Sequence, residues 1–261
     1  MRGKDIIGIF NLIVVAGVLG AISYAALVLQ PAEYDPDTLC LVGEKPAHTV
    51  LVIDKTDLYT PAQTEAIRQL VLQARDRLAI GQRLSLYELD ARGELEETPF
   101  SLCNPGRGEQ INPLYRNPSR VEARYQALFE DPLQDVLADL VEPRNAPASP
   151  IIEALARIAR EDAFDATTPG RDIILVSDML QNSALFSVYG AARYDLAGRL
   201  PDPRDVAAQV EREFGYGLRG VAIEIHLIPR EGWEGQQAGI IQAYWSEVFR
   251  HLGMRDYWSA V

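Results

Sequence analysis

An uninterrupted apolar run near the start of the chain most constrains how this protein folds. Residues 6–29 contain no Lys, Arg, Asp or Glu. As a helix rising about 1.5 Å per residue, the run reaches roughly 36 Å, enough to cross a hydrocarbon core of about 30 Å. The sequence therefore predicts a transmembrane anchor over residues 6–29, preceded by a short tail, residues 1–5.

The charges that flank the apolar run predict its orientation. Arg2 and Lys4 precede it, whereas Glu33 and Asp35 follow it. Because Lys and Arg favour the cytoplasmic side of a membrane span, the tail is predicted to be cytoplasmic and residues 31–261 periplasmic. We therefore expect a single-pass protein of a bacterial inner membrane.

A cleaved secretory signal is the alternative interpretation of the same run. Ser23 and Ala25 have the small-x-small spacing that signal peptidases accept. The apolar run is, however, longer than the apolar region of about 7–15 residues that is usual for such signals. Its length favours an uncleaved anchor.

The composition of the remaining chain limits the function classes. The length of chain after the predicted anchor fits one large or two small globular domains. Apolar residues make up 48% of the sequence, which is ample for a buried core. Without the tail's Arg2, Lys4 and Asp5, the chain keeps 23 basic and 36 acidic residues, a net charge of −13. No basic cluster of the kind that binds phosphates is present, so we expect no nucleic-acid partner.

The chain contains two cysteines, Cys40 and Cys103. Two cysteines alone do not make a metal site. In an oxidising compartment the pair can form a disulfide that fixes the segment after the membrane to the domain, and two unpaired thiols are the alternative.

Residues 30–47 contain three prolines and a glycine among acidic residues, a composition typical of a stalk rather than a continuous helix. We place the domain at residues 48–261. It opens with a strand over 49–53, a helix over 61–78 and a strand over 83–89. Thr60, Pro61 and Gln63 form the capping-box signature of the helix start.

Later segments continue this alternation of strands and helices. We predict, in chain order, an edge strand over 94–102, a helix over 121–140, a helix that begins at Ser149-Pro150, strands over 172–177 and 221–228, and a helix over 239–252. Residues 173–176 are apolar on both faces, as in a central parallel strand. The predicted fold class is α/β, with a doubly wound and mostly parallel sheet.

Polar side chains directly after strands are the best candidates for a binding site, because ligands gather beyond the carboxyl ends of parallel strands. Asp54, Thr56 and Asp57 follow the first strand, and Asp178 follows the strand over 172–177. Ser149 begins the helix that leads into that second strand. All five side chains carry hard oxygen donors.

These motifs resemble the von Willebrand factor A-like (vWA) family, whose metal-ion-dependent adhesion site combines a D-x-S-x-S loop with a later Thr and Asp. The resemblance covers roughly residues 48–253. It matches Asp54 to the leading Asp, Thr56 to the first hydroxyl, Ser149 to the later Thr and Asp178 to the later Asp. Leu58 stands at the position of the second hydroxyl and cannot coordinate a metal, so the motif departs from the family pattern.

The resemblance implies a Mg²⁺ ion held by Asp54, Thr56, Ser149 and Asp178, directly or through water, and completed by a carboxylate of a partner. Such a site suits Mg²⁺, which prefers oxygen ligands in octahedral geometry. With one hydroxyl lost, Asp57 or a water would have to compensate.

Purely structural roles are the alternative for the same residues. Ser149 and Thr60 are both explained as helix caps, each worth about 1 kcal/mol. Asp54, Asp57 and Asp178 are explained as loop residues that accept backbone hydrogen bonds.

Catalytic patterns are weaker than the adhesion-site pattern. The histidines, at positions 48, 226 and 251, lack zinc-ligand spacing, and no G-x-S-x-G elbow is present. The haloacid dehalogenase-like family also places an Asp after its first strand, but it usually has a second Asp two residues later, where this chain has Thr56.

Aromatic residues near the C-terminus are either core or docking residues. A helix over 239–252 places several of them on one face, which favours packing on the sheet: Tyr244, Trp245, Val248, Phe249 and Leu252. The tail over 255–261 has little room for an element of its own, so Tyr257 and Trp258 are better candidates for docking.

The sequence as a whole predicts a non-catalytic adaptor or assembly component of a bacterial envelope complex, which binds another protein and in which Mg²⁺ takes part. One alternative is a Mg²⁺-dependent phosphoester hydrolase that uses Asp54 as nucleophile or base. The other is a metal-free scaffold with a degenerate site.

Overall fold

The structure is a computed structural model of the 261-residue chain, and it describes residues 3–28, 33–56, 58–89, 95–113, 117–140 and 148–260. The predictions that involve Arg2, residues 29–32, Asp57 and Glu94 lie outside the described residues. The chain forms two units, Met1–Tyr34 and Asp35–Val261. The second unit therefore includes residues 35–47, which the sequence analysis assigned to the stalk.

The first unit contains one helix, α1 (Gly3–Val28), in which residues 8–24 are all exposed. Among the described residues, the structure contains no helix with both the length and the apolar character of a membrane span. The transmembrane anchor stays a prediction.

The second unit alternates strands and helices. Its strands are β1 (His48–Asp54), β2 (Arg83–Leu89), β3 (Leu95–Cys103), β4 (Arg171–Ser177), β5 (Ala222–Leu227) and β6 (Arg255–Ala260). Its α-helices are α2 (Pro61–Arg77), α3 (Pro118–Tyr125), α4 (Asp131–Leu140), α5 (Ile151–Ile158), α6 (Leu196–Arg199), α7 (Pro203–Phe214), α8 (Glu234–Gln236) and α9 (Gln242–His251). One π-helical turn (Gln126–Glu130) joins α3 to α4, and another (Gln237–Ile241) joins α8 to α9.

The strands form one sheet in the order β3-β2-β1-β4-β5-β6. β3 runs antiparallel to β2, and the other neighbours are parallel. The direction in which strands are added reverses between β1 and β4, which makes the carboxyl ends of these two strands the switch point of the sheet. The predicted α/β class with a mostly parallel sheet is confirmed.

Helices cover the sheet on both faces, as alternate residues of β1 show. Val50 and Val52 face a core that includes side chains of α5, α7 and α9. Leu51 and Ile53 face a core that includes side chains of α2 and α4. All four valine, leucine and isoleucine side chains are fully buried, so β1 is a central strand between two helical layers.

The capping box of α2 is present as predicted. The Gln63 amide donates to Thr60 Oγ1 (3.2 Å), and the Thr60 amide donates to Gln63 Oε1 (2.9 Å). Each bond satisfies a backbone donor that the first helical turn leaves unpaired.

Replacing Thr60 by alanine is expected to lower the free energy of unfolding by about 1 kcal/mol, because the Gln63 amide loses its acceptor. Serine at the same position keeps the oxygen and is the matched control. Chemical denaturation of both variants measures the effect, and an equal loss in the serine variant would contradict the capping role.

His48, the first residue of β1, is a buried neutral histidine. Its Nδ1 lies 2.9 Å from the Ala163 carbonyl oxygen and its Nε2 lies 2.7 Å from Ser85 Oγ. Burial is the main reason that the pKa of His48 is lowered to about 4; the hydrogen bond to Ala163 opposes this effect, and the charge of Arg83 adds to it. Protonation of this ring therefore favours the unfolded chain.

His48 is expected to make the fold acid-sensitive. Since its folded pKa lies below the unfolded value of about 6.5, its contribution is complete above pH 6.5 and declines as the pH falls toward 4. Between pH 6.5 and pH 5 the wild type should lose about 1.5 kcal/mol more stability than His48→Gln, which keeps a donor and an acceptor but does not titrate. Equal pH dependence of the two proteins would contradict this assignment.

The C-terminal segment differs from its prediction. The tail forms strand β6, which pairs with β5 from Arg255 to Ala260, so the expectation that it has no room for an element is wrong. Tyr257 is 59% exposed, whereas Trp258 packs partly on the core and donates to Asp256 Oδ2 (2.7 Å). The tail forms a strand because the edge of β5 supplies the backbone hydrogen-bonding partners that a tail on its own lacks.

The aromatic stripe before β6 is part of the core, as favoured from the sequence. Most of its members are fully buried, namely Trp245, Val248, Phe249 and Leu252. Trp245 stacks on Phe249 and donates from Nε1 to the Met179 carbonyl oxygen (3.0 Å). Helix α9 therefore supports the loop that follows β4.

Candidate functional site

The switch point brings together the polar residues that end β1 and β4. Asp54 is the last residue of β1, and Asp178 directly follows the last residue of β4, Ser177. Both carboxylates are 3% exposed. Buried carboxylates need hydrogen-bond donors or counter-charges, so the neighbours of these two groups determine the chemistry of the site.

Hydroxyl groups from three segments donate to Asp54. Thr56 donates to Oδ1 from its hydroxyl (2.6 Å) and its amide (3.2 Å). Ser149 and Ser177 donate to Oδ2 from their hydroxyls, at 3.1 Å and 2.8 Å. Burial raises the pKa of Asp54, and these hydrogen bonds oppose the rise.

The structure thus brings Asp54, Thr56 and Ser149 into direct contact, and it adds Ser177 to them. The alternative role of Ser149 as a helix cap is wrong, because the cap position of α5 is Pro150 and the Ser149 hydroxyl donates to Asp54. The Ser149 backbone pairs with Asn182, so the loop after β4 fixes its position.

Asp178 is held by a different set of donors. Its Oδ1 accepts from the Leu180 amide (2.9 Å), and its Oδ2 accepts from Arg230 Nε (2.8 Å). Burial raises the pKa of Asp178 to about 7, and the nearby Asp54 adds to the rise, whereas the Leu180 amide and Arg230 lower it. The two carboxylates therefore share one electrostatic environment.

Arg230 connects the loop after β5 to the loops after β1 and β4. Besides its bond to Asp178, it donates from Nη1 to the Leu58 carbonyl oxygen (2.7 Å) and lies over the Tyr59 ring at 5.9 Å. Its side chain is 17% exposed. One side chain thus joins all three loops at the carboxyl edge of the sheet.

Gln237 fixes the backbone near both partners of the Arg230–Asp178 ion pair. It is 1% exposed and donates from Nε2 to the carbonyl oxygens of Asp178 (2.8 Å) and Ile228 (3.0 Å). Its Oε1 accepts from the Arg230 amide (2.9 Å). The loop after β4 and the loop after β5 are therefore tied together by a buried amide.

Met179 adds a local backbone constraint next to Asp178. Its φ of 60° lies in the left-handed region, which residues other than glycine rarely adopt. The Met179 amide donates to Ser177 Oγ (2.9 Å), and its carbonyl accepts from Trp245. The surrounding hydrogen bonds hold this conformation next to Asp178.

The predicted site lacked Ser177, Arg230 and Gln237, although Ser177 directly precedes Asp178 and is an oxygen donor at the end of the same strand. The signal for Arg230 was nonetheless available, since it follows the predicted strand over 221–228 by two residues and so meets the same criterion as Asp54 and Asp178. Gln237 had no such signal, because it lies in a helical segment and its side chain bonds to backbone atoms of residues that are distant in sequence.

As arranged, these residues do not fit a Mg²⁺ ion. The oxygen donors have the right chemistry, but Arg230 already bonds to Oδ2 of Asp178, and a divalent cation beside it would meet the positive charge of a partly buried guanidinium. Leu58 brings a carbonyl that accepts from Arg230 instead of a hydroxyl. Across the part of the chain that the structure describes, three or more His, Cys, Asp or Glu side chains nowhere form a metal-binding group.

No family model matches the sequence, and no curated protein matches it. Three similar solved structures are the human COPII-coat protein Sec24c (13% identity, TM-score 0.44), the conserved hypothetical protein BatB from Bacteroides thetaiotaomicron (12%, 0.39) and the pilus adhesin SpaC from Lactobacillus rhamnosus GG in an open conformation (13%, 0.43). The matches cover 83%, 82% and 83% of this chain and 29%, 90% and 28% of those chains. The chain thus spans less than a third of Sec24c and SpaC.

Proposed function

We propose that the protein is a vWA-like interaction module, anchored in a bacterial inner membrane, that serves as an adaptor or assembly component of an envelope complex. One observation carries the proposal. At the switch point, where α/β sheets bind their ligands, the carboxylates are buried and internally bonded, whereas Leu58 on the adjoining loop is 63% exposed. An exposed apolar side chain, whose own carbonyl oxygen is held by Arg230, is available for contact with a protein surface.

The same geometry favours an adaptor over a phosphoester hydrolase. A nucleophilic or basic Asp54 has to reach a substrate, yet this carboxylate is 3% exposed and accepts four hydrogen bonds from Thr56, Ser149 and Ser177. We expect no Mg²⁺-dependent turnover of phosphoesters. Turnover that disappears in Asp54→Asn would support the hydrolase instead.

The anchor is part of the proposal and rests on the apolar run over residues 6–29. The apolar side chains of the described part of α1, among them Phe10, Leu12 and Leu19, are exposed. A helix that is apolar and exposed on all sides is expected to lie in lipid.

Reporter fusions after Val261 test the topology. A reporter that works only outside the cytoplasm is expected to be active there, and a reporter that works only in the cytoplasm is expected to be silent. The opposite pattern would contradict both the export of the domain and the formation of its disulfide in the cell.

Site-specific photo-crosslinking tests the interaction surface. With a photoreactive amino acid at position 58 of the full-length protein in cells, we expect a discrete crosslinked product with another protein. Position 128 is the matched control, because Leu128 is also an exposed leucine (43%) but lies on the π-helical turn after α3. Equal products from both positions, or none from position 58, would contradict the proposed surface.

A further inference from the structure

The carboxyl edge of the sheet contains an internal cation. Arg230 and Asp178 form an ion pair of 2.8 Å, with side chains that are 17% and 3% exposed. Lys55, which follows Asp54 in the chain, pairs with Glu88 at the end of β2 (3.0 Å). Among the described ion pairs, it is therefore the pair with Arg230 that brings a positive charge to a buried carboxylate of the switch point.

Contacts other than the ion pair with Asp178 also fix the position of Arg230. Its backbone amide bonds to Gln237, which also binds the backbone of the loops after β4 and β5. Its Nη1 bonds to the Leu58 carbonyl oxygen, and the Tyr59 ring lies beneath it. A planar guanidinium held in this way offers directional donors to several oxygen atoms at once.

These contacts give Arg230 two properties of a bound metal ion. It carries positive charge into a site with two buried carboxylates, and it joins oxygen atoms from loops that are distant in sequence, Leu58 and Asp178. It also opposes any second cation, because like charges a few ångströms apart in a partly buried site repel each other strongly.

We propose that Arg230 is the resident cation of this edge, so that the site needs no divalent metal, and that removing its charge creates a divalent-cation site at Asp54 and Asp178. The statement that this edge binds a partner without a metal rests on the proposed function. The statement about metal binding depends only on the contacts of Arg230.

Titration of the full-length protein, purified in detergent, with MnCl₂ and MgCl₂ by calorimetry tests the inference. The wild type is expected to show no saturable binding. Arg230→Gln is expected to bind Mn²⁺ saturably, with an affinity at least about tenfold above the weakest that the titration of the wild type would detect, because the repelling charge is gone. The double variant Arg230→Gln with Asp178→Asn is expected to lose this binding. Arg219→Gln is the matched control. Arg219 lies on the segment before β5 and also forms an ion pair, but with Glu211 (2.8 Å) and not with a carboxylate of the site.

Two results would overturn the inference. One is saturable Mn²⁺ or Mg²⁺ binding by the wild type that Asp178→Asn abolishes, and this measurement is valid even if Arg230→Gln does not fold. The other is a folded Arg230→Gln protein that gains no affinity. The crosslink from position 58 involves no added metal, so its failure would overturn the proposed function and leave the titration result intact.

Discussion

Replacing Arg230 by methionine is expected to lower the free energy of unfolding by about 3 kcal/mol. Methionine keeps much of the apolar contact but leaves the Asp178 carboxylate buried without its cation. Breaking a buried ion pair costs about 3–5 kcal/mol. We expect the lower end of this range, because Arg230 is partly exposed (17%) and Asp178, whose pKa burial raises to about 7, can take up a proton.

A double-mutant cycle separates the ion pair from the packing of the arginine stem. In an Asp178→Asn background, Arg230→Met is expected to cost about 1 kcal/mol, because no buried charge is left unpaired. Arg219→Met, which removes an arginine that is 60% exposed, is expected to cost less than about 1 kcal/mol. Chemical denaturation measures all four variants. An equal cost of Arg230→Met with and without Asp178 would show that the ion pair does not stabilise the fold.

Removal of the disulfide is expected to cost about 4 kcal/mol. The structure joins Cys40 to Cys103, 63 residues later in the chain. In the chain-entropy description, closing a loop of this length in the unfolded state contributes about 4 kcal/mol. The double variant Cys40→Ser with Cys103→Ser should therefore unfold at a much lower denaturant concentration than the oxidised wild type.

Reduction provides the control for this prediction. Dithiothreitol should destabilise the wild type by about as much as the double serine substitution does, and it should leave the serine variant unchanged. The bond ties residues 35–47 to the end of β3, where the Cys103 amide also donates to the Thr38 carbonyl oxygen (2.8 Å). Equal stability of the oxidised and reduced wild type would contradict this role.

Local sequence signals predicted most of the sheet. The strands over 49–53, 83–89 and 172–177 and the helix from Pro61 depend on periodicity and on a capping box, which are properties of neighbouring residues. Residues 173–176 were placed correctly in the interior because a run that is apolar on both faces needs helices on both sides.

Long-range pairing accounts for what the sequence did not predict. β6 becomes a strand because the edge of β5 accepts it, and a short tail after Gly253 carries no such information. Ser149-Pro150 has the local pattern of a helix cap, yet the hydroxyl of Ser149 donates to Asp54, 95 residues earlier in the chain. This hydrogen bond forms because the arrangement of the strands brings Ser149 next to Asp54, which the local sequence does not show.

The candidate site was predicted in part for the same reason. The rule that polar residues after parallel strands converge brought Asp54, Thr56, Ser149 and Asp178 to one edge, and the structure places them there. Their partners depend on side-chain directions, and so Arg230, which changes the electrostatics of the site, was missed. The sequence predicts magnesium binding by the wild type, whereas the contacts of Arg230 predict none, and the titration decides between the two predictions.

Photo-crosslinking from position 58, carried out on membranes with and without a chelator, tests most directly whether this edge binds a protein without a metal. We expect a discrete product with another protein, formed to the same extent in EDTA and in Mg²⁺, with position 128 giving none. Absence of the product from position 58 would contradict the interaction surface. A product that forms only with Mg²⁺ would contradict the role of Arg230 as the resident cation.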